Sequence, residues 1–242
     1  MTQYYTTEFY KDILAGSKRS AEIILPLVFS EINPKSIVDI GCGSGAWLSI
    51  AKKNNISDVL GLDGRYAMSD LQINTDEFRA TDISEGFLLD RKYDLALCLE
   101  VGEHIATKQS PVLVDSLTKA ADVILFSAAL PGQGGNHHVN EQWPEFWQRL
   151  FLDKDFVCID FIRPLIYKKT EVEWWYRQNI FLYVHKKALN KFPRLAALQN
   201  QANDILLLHR SLIKKRYGFL NAFLYPFKFA ILTVLHKIGL NK

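Results

Sequence analysis

Two stretches of the sequence combine residue types that can do chemistry. The first is a glycine-rich turn, Asp39-Ile40-Gly41-Cys42-Gly43-Ser44-Gly45, between a short apolar run and a helical pattern. A strand, a glycine turn and a helix N-terminus let a ligand lie against bare backbone. The second is the segment 131–144, which contains glycines, two histidines, an asparagine, a glutamate and a glutamine. Histidine can accept a proton near neutral pH, so this segment is a candidate for acid–base chemistry.

The glycine spacing alone allows two kinds of ligand. Gly41-x-Gly43-x-x-Ala46 fits the dinucleotide fingerprint, and Asp63 follows about where a ribose-binding acid belongs. Two features favour a methyl donor instead. Asp39 stands inside the strand, two positions before the first glycine, and the compact Gly-x-Gly-x-Gly suits a ligand without a pyrophosphate.

Residues 38–47 resemble motif I of the class I S-adenosylmethionine-dependent methyltransferases. The resemblance implies that the glycine turn passes under the methionine part of the cofactor and that an acidic residue like Asp39 holds its amino group. It also implies that Asp82 and Ile83 clamp the adenine, and Asp63, at the end of a second strand, is expected to accept the ribose hydroxyls. The predicted cofactor contacts are Asp39, Gly41, Cys42, Gly43, Gly45, Asp63, Asp82, Ile83, Glu100 and Val101.

The exit of the fourth strand, residues 93–104, resembles the segment that borders the cofactor in the same family. Glu100 and Val101 are expected on the cofactor side. Glu103 and His104 are expected on the substrate side, or as caps of the next helix, and catalysis and structure stay open for His104. The family often has leucine where this chain has Gly102, which is a mild departure.

The segment 131–144 resembles a Gly-Gly-x-x-His-Val-Asn-Glu-Gln-Trp segment of a bacterial methyltransferase subset, often encoded with glycan or secondary-metabolite pathways. By that match His138 is the equivalent histidine and a candidate general base, and His137 is extra. A helix-capping loop with surface histidines is the alternative. No metal site is expected, because neighbouring His137 and His138 rarely point at one ion. The predicted substrate contacts are His137, Asn140, Glu141, Gln142, Trp175 and Tyr176.

The elements that must position these residues alternate between strand and helix as far as residue 129, which predicts an α/β fold with a doubly wound parallel sheet. Two further strands, near 156–162 and 180–184, complete the seven-stranded Rossmann-like methyltransferase sheet that the resemblance implies, with the last strand antiparallel. A helix or two are expected over 7–31, with Gly16-Ser17 as a break. Residues 173–179 are expected to lead into the seventh strand.

The charge divides the chain into a methyltransferase domain, 1–185, and a basic amphipathic helical tail, 186–242. The tail holds eleven of the 29 Lys and Arg residues and one of the 26 acids, so its net charge is +10 and that of the rest is −7. Basic and aromatic residues at 214–235 predict peripheral contact with a membrane, with packing in the protein or in a homodimer as the alternative. Three cysteines without CxxC spacing, and no signal peptide, indicate a cytoplasmic protein, which the tail would hold at the inner face of the membrane.

These patterns predict an S-adenosylmethionine-dependent methyltransferase that acts on a hydroxyl of a sugar, a glycan precursor or a similar polar metabolite. The acceptor is expected to be a small molecule or a lipid-linked glycan, and no nucleic acid is expected as partner. Three alternatives stay open: an N-methyltransferase on a small amine, a nicotinamide dehydrogenase, and a non-catalytic membrane-associated module on the same fold.

Overall fold

A computed structural model describes residues 7–198, with side chains from Leu14 onward. Its centre is a seven-stranded sheet with the order β3-β2-β1-β4-β5-β7-β6. The strands are β1 (Ser36–Ile40), β2 (Asp58–Asp63), β3 (Phe78–Ala80), β4 (Leu95–Leu99), β5 (Val123–Ser127), β6 (Phe156–Ile159) and β7 (Phe181–His185). The predicted fold class is confirmed.

The direction of the strands decides where functional residues can meet. Strands β1 to β5 pair in parallel, whereas β7 runs antiparallel between β5 and β6. The carboxyl ends of β1, β2, β4 and β5 therefore share one edge of the sheet. Because β7 is antiparallel, its first residues lie at this same edge, where open α/β sheets bind their ligands.

Seven α-helices accompany the sheet in the described part of the chain. They are α1 (Thr7–Ile32), α2 (Ala46–Lys53), α3 (Ser110–Ala120), α4 (Pro144–Leu152), α5 (Ile162–Ile166), α6 (Trp174–Asn179) and α7 (Pro193–Leu198). The break expected at Gly16-Ser17 is wrong, because α1 continues through it. Gly16 serves close packing instead, since a Cβ there would stand 2.2 Å from a carboxylate oxygen of Glu173.

The core consists of two apolar layers, one on each face of the sheet. Alternate residues of β1 point to opposite faces, so Ile37 belongs to the layer that includes α1 and α2, and Val38 to the layer that includes α3 and α4. All five residues of β1, β4 and β5 are buried, as expected for strands covered on both faces. This burial fixes the positions of the strand ends.

The chain after β6 leads into the last strand as expected. Residues 174–179, which come directly before β7, form the short helix α6. After β7, Ala188, Leu189 and Leu195 are buried in the same core as α1 and α2. The remainder of the predicted tail, including the membrane segment 214–235, lies outside the described residues. Within the residues described, none of the helices has the length and apolar character needed to span a membrane.

Candidate active site

The glycine turn after β1 is tied to the end of β2. The backbone N–H of Gly41 donates to the carbonyl of Leu62 at 2.8 Å, and the N–H of Gly43 donates to an oxygen of Asp63 at 2.7 Å. Gly41 has a φ of 75°, and a Cβ on it would approach a methyl group of Val101 to 2.3 Å. A Cβ on Gly43 would meet no atom within 4 Å. The turn is therefore a bare backbone surface with open space above Gly43.

Two carboxylates stand beside this turn. Asp39, near the end of β1, is 2% exposed, and burial followed by the charge of Asp63 raises its pKa from 3.8 to about 7. Asp63 ends β2 and accepts hydrogen bonds from the N–H groups of Gly43 and Gly64 and from the hydroxyl of Tyr66. The predicted neighbours of the methyl donor thus lie together. Cys42, in the same turn, is buried, and burial raises the pKa of its thiol well above the ordinary range.

The remaining cofactor candidates lie at the ends of β3 and β4. Asp82 is exposed, and its carboxylate caps the 3-10 turn Ile83–Glu85 by accepting from the N–H and hydroxyl of Ser84, which lowers its pKa. Ile83 is half-buried against the core. Val101 packs over Gly41 and is buried.

Glu100 is held in an unusual backbone conformation by a network that sequence reasoning missed. Its φ of 55° is in the left-handed region, which bulky residues adopt only where their surroundings enforce it. Gln133 donates to its carboxylate at 2.8 Å and Asn179 at 3.1 Å. Burial raises the pKa of Glu100, and these hydrogen bonds oppose the rise. The antiparallel direction of β7 is the signal that would have found Asn179, since it places the residues before Phe181 at this edge.

Glu103 is the most isolated polar side chain of the site. It is 0% exposed, and neither carboxylate oxygen has a hydrogen-bond partner. The backbone N–H groups of Glu103 and Ala129 and the carboxyl group of Glu100 approach the Glu103 carboxylate, and none of them completes a hydrogen bond of good geometry to it. Burial and the nearby charge of Glu100 raise its pKa well above the usual range.

His138 and Glu141 form a pair within the loop that follows β5. Nδ1 of His138 lies 3.1 Å from Oε1 of Glu141. The Glu141 carboxylate also accepts from the N–H of Gly132 at 2.6 Å and from the N–H of Gly134. An ionised carboxylate can only accept, so Nδ1 carries the proton, and in the neutral imidazole the lone pair is then on Nε2. Glu141 thus shapes the loop and orients the imidazole.

His104 completes the cluster. Its ring meets the ring of His138 edge to face, with 4.9 Å between centroids. Burial, followed by the proximity of His138, lowers its pKa. One carboxylate oxygen of Glu103 and one ring nitrogen from each of His104 and His138 lie within 4.8 Å of one another. The three residues predicted to be catalytic are therefore brought together.

The structure gives Asn140 a supporting position. Its amide donates to the carbonyl of Gly102 and the hydroxyl of Ser110, and its oxygen accepts from Thr107 and Gln142. These four hydrogen bonds use the full capacity of the side chain.

The other predicted substrate contacts are arranged differently. His137 is exposed beside the cluster with a φ of 56°. Tyr176 is only 5% exposed, and its hydroxyl accepts from Nε1 of Trp47 at 3.4 Å. Trp175 is half-buried and packs against the same core. Substrate contact by these aromatic residues stays a prediction.

The sheet order, the glycine turn and the carboxylates beside it define a class I methyltransferase, and comparisons with known proteins agree. Residues 16–179 match the family described as the methyltransferase domain, and the chain belongs to this family. No curated protein matches the sequence.

Solved structures share the fold at low sequence identity. DesVI from Streptomyces venezuelae superposes with a TM-score of 0.55 at 15% identity, covering 73% of this chain and 95% of that chain. CalS10 from Micromonospora echinaspora, an amino pentose methyltransferase in complex with S-adenosylmethionine, gives 0.54 at 14% identity, covering 77% and 99%. The plantazolicin methyltransferase BpumL gives 0.52 at 18% identity, covering 74% and 90%.

The protein is an S-adenosylmethionine-dependent methyltransferase. The residues present fit that cofactor. The turn at Gly41 has no room for a side chain, so its backbone stays bare, and the carboxylates of Asp39 and Asp63 stand beside it. When bound, the cofactor supplies an electrophilic methyl group on a positively charged sulfur. Membership of the methyltransferase family excludes the nicotinamide dehydrogenase alternative. The intact motif I argues against a non-catalytic module.

Proposed function

We propose that the protein methylates a hydroxyl group of a small polar acceptor such as a sugar or a glycan precursor, free or lipid-linked. The observation that carries the proposal is the His138–Glu141 pair, which lies beside Glu103 and His104. A hydroxyl must lose its proton to become a good nucleophile toward a methyl group. An imidazole whose Nε2 is free, and whose other nitrogen is held by a carboxylate, is suited to assist that loss.

The polar character of this edge supports the choice of acceptor. Besides the histidines, the segment contributes Glu141 and Gln142, and the nearby buried network contributes Gln133. Among the structural neighbours, CalS10 is described as an amino pentose methyltransferase, so this fold can accept a sugar. The likeness to the bacterial subset with a Gly-Gly-x-x-His-Val-Asn-Glu-Gln-Trp segment is part of the same proposal.

The residues of the cofactor pocket take the roles that the sequence predicts. Asp39 holds the amino group, Asp63 accepts the ribose hydroxyls, and Asp82 with Ile83 borders the adenine. The main contribution to the rate comes from holding the acceptor oxygen in line with the methyl group and sulfur. The new O–C bond forms as the C–S bond breaks, and the hydroxyl proton passes through the histidine cluster to solvent.

The first experiment identifies the acceptor. The purified protein is incubated with methyl-labelled S-adenosylmethionine and with the glycan and lipid fractions of its own cell. Label is expected in a polar acceptor as a base-stable methyl ether. Labelled amines instead would favour the N-methyltransferase alternative, and no transfer to any fraction would contradict the sugar proposal.

The second experiment tests the histidine. His138→Ala is expected to lower turnover by about 10²- to 10⁴-fold, as loss of a group that moves a proton does. Cofactor affinity, measured by calorimetry, should stay unchanged. His185→Asn is the matched control, because His185 caps a turn at the opposite edge of the sheet. Near-normal turnover of His138→Ala would contradict a role in hydroxyl activation.

Membrane contact through residues 214–235, which would place a cytoplasmic protein at the inner face of the membrane, is a separate proposal. It is supported by the basic and aromatic composition of that segment. Deletion of 214–242 should abolish sedimentation with anionic vesicles and keep cofactor binding. Unchanged vesicle binding would contradict the membrane proposal, and a change from dimer to monomer would favour the homodimer alternative.

A further inference from the structure

We propose that Glu103, His104 and His138 bind a divalent transition-metal cation beside the cofactor pocket. The inference rests on the proposed methylation of a hydroxyl and specifies how that hydroxyl is activated. It differs from the expectation for the sequence, which considered only the adjacent pair His137 and His138. The fold instead brings His138 to residues from the end of β4, 34 and 35 positions earlier in the chain.

The surroundings of the Glu103 carboxylate favour a bound cation. Its carboxylate is fully buried, and neither oxygen has a hydrogen-bond partner. Leaving a buried carboxylate without a partner is costly, and such groups are normally paired, hydrogen-bonded or bound to a metal. One of these oxygens lies within 4.8 Å of a ring nitrogen of His104 and of one of His138. A cation between these three atoms would satisfy the carboxylate.

The acidic residues around the two imidazoles also favour a cation. Glu100, Glu103 and Glu141 lie around the two imidazoles, yet none of the three is paired with a lysine or arginine among the described residues. The partners of the Glu100 carboxylate are all uncharged donors or another carboxyl group: the amides of Gln133 and Asn179, the hydroxyl of Ser127 and the side chain of Glu103. A negative charge on Glu103 or Glu100 therefore has no cationic side chain in the described part of the chain to stabilise it, and a bound cation would do so.

The orientation of the His138 ring suits a metal ligand. Glu141 accepts from Nδ1 and leaves the lone pair of Nε2 free, which is the arrangement of a metal-ligating histidine held by an outer carboxylate. Gly135 makes room for the ring, since a Cβ there would stand 2.2 Å from Nε2. Glu141 in turn is fixed by backbone N–H groups of the glycine loop.

The distances are compatible with a site that contracts when it binds. Ligand atoms about 2.1 Å from one ion lie roughly 3.0–3.4 Å apart in octahedral or tetrahedral geometry. The present separations of up to 4.8 Å need side-chain movements of about 1 Å. The exposed ring of His104 can make such a movement without disturbing the core.

The ligand set indicates the kind of cation. Two imidazoles favour a transition-metal cation such as Co²⁺ or Zn²⁺ over Mg²⁺ and Ca²⁺, which prefer oxygen ligands, and the carboxylate also suits Mn²⁺. Three protein ligands leave positions for an acceptor hydroxyl, whose pKa the cation would lower. The proton would then pass to solvent, and His138 would act as a ligand rather than as the base.

The direct test is cation binding by the full chain without substrate. Protein treated with chelator and dialysed is titrated with Mn²⁺, followed by the loss of its free-ion EPR signal, and with Co²⁺, followed by visible absorption. One saturable site and absorption bands typical of mixed nitrogen and oxygen ligation are expected. The absence of saturable binding of Mn²⁺, Co²⁺ and Zn²⁺ at millimolar concentration would overturn the proposal.

Variants assign the site. Glu103→Gln and His104→Ala should each weaken Co²⁺ binding by about 10- to 100-fold or more, and Glu141→Gln by about tenfold. His185→Asn is the control, because His185 caps a turn at the opposite edge of the sheet, away from the cluster. Since Glu103→Gln changes a buried residue, His104→Ala provides a variant at an exposed one. Unchanged binding in both variants would overturn the assignment.

One further outcome separates this inference from the proposed function. If Glu103 is instead a neutral acid beside Glu100, Glu103→Gln will be as stable and active as the wild type, and Co²⁺ will not bind. Methyl transfer that continues undiminished in EDTA likewise overturns the metal site and leaves the hydroxyl methyltransferase standing. Saturable Co²⁺ binding without methylation of any hydroxyl would keep the metal site and contradict the proposed function.

Discussion

Replacement of Asp39 by asparagine tests the electrostatics of the cofactor pocket. Asp39 is almost completely buried in the central strand, close to the charge of Asp63. Asparagine has nearly the same shape and cannot ionise. We therefore expect Asp39→Asn to stabilise the cofactor-free protein at neutral pH while it weakens the binding of S-adenosylmethionine.

The magnitude follows from the pKa. A pKa raised from 3.8 to about 7 corresponds to about 4 kcal/mol, at about 1.4 kcal/mol per pKa unit. Between these two values the folded state holds the proton that the unfolded state has released, so the free energy of unfolding falls as the pH rises. The cost is absent below about pH 4 and complete above about pH 7. The gain from Asp39→Asn at pH 8 thus has an upper bound of about 4 kcal/mol.

The assay is urea unfolding of both proteins at pH 4.5, 6 and 8. The difference in the free energy of unfolding should grow with pH and level off above pH 7. A difference that does not depend on pH, or a variant that is less stable at pH 8, would refute the reasoning. At pH 8 calorimetry should show cofactor affinity lowered by about 10- to 100-fold, the loss expected for a charge-assisted hydrogen bond. Unchanged affinity would contradict the contact between Asp39 and the amino group.

Three further substitutions test the support of the site. Gly135→Ala should displace the His138 ring, since the new Cβ would stand 2.2 Å from Nε2. Turnover is expected to fall about 100-fold, with unchanged cofactor affinity. Normal turnover would contradict this close packing. Asn140→Ala should lower the free energy of unfolding in urea by about 2–4 kcal/mol, because it removes four hydrogen bonds and leaves the buried carbonyl of Gly102 and hydroxyl of Ser110 unpaired. A loss below about 0.5 kcal/mol would refute this. Arg163→Met should lower the free energy of unfolding by about 3 kcal/mol, measured as a shift of the urea midpoint, because Arg163 is 1% exposed and pairs with Asp160. A variant as stable as the wild type would contradict this expectation.

Much of the predicted cofactor pocket could be derived from the sequence, because the patterns that specify it span only a few neighbouring residues. The run Ser36–Ile40 and the glycines after it specify a buried strand and a turn within ten residues, and both lie in the structure as expected. The strand at 58–63 and its terminal Asp63 follow from the same reasoning, since a carboxylate at the end of a parallel strand must lie at the ligand edge.

Predictions failed where short-range patterns compete with packing. Gly16 suggests a helix break, but the close approach of Glu173 gives the glycine a place inside a continuous helix. The helix at residues 174–179, in which Tyr176 meets Trp47, is not predicted from the adjacent aromatics of that segment. Such long-range contacts override local propensity.

The sequence by itself determined the class of the enzyme, the sheet and the strand ends at which the methyl donor is expected. Only the tertiary structure decided which polar residues face one another. Glu103, His104 and His138 meet because the loop after β5 folds back over the end of β4, where the carbonyl of Glu103 accepts from the N–H groups of Val139 and Asn140. Contacts across such sequence separations depend on the packing of the whole sheet, which no local pattern encodes.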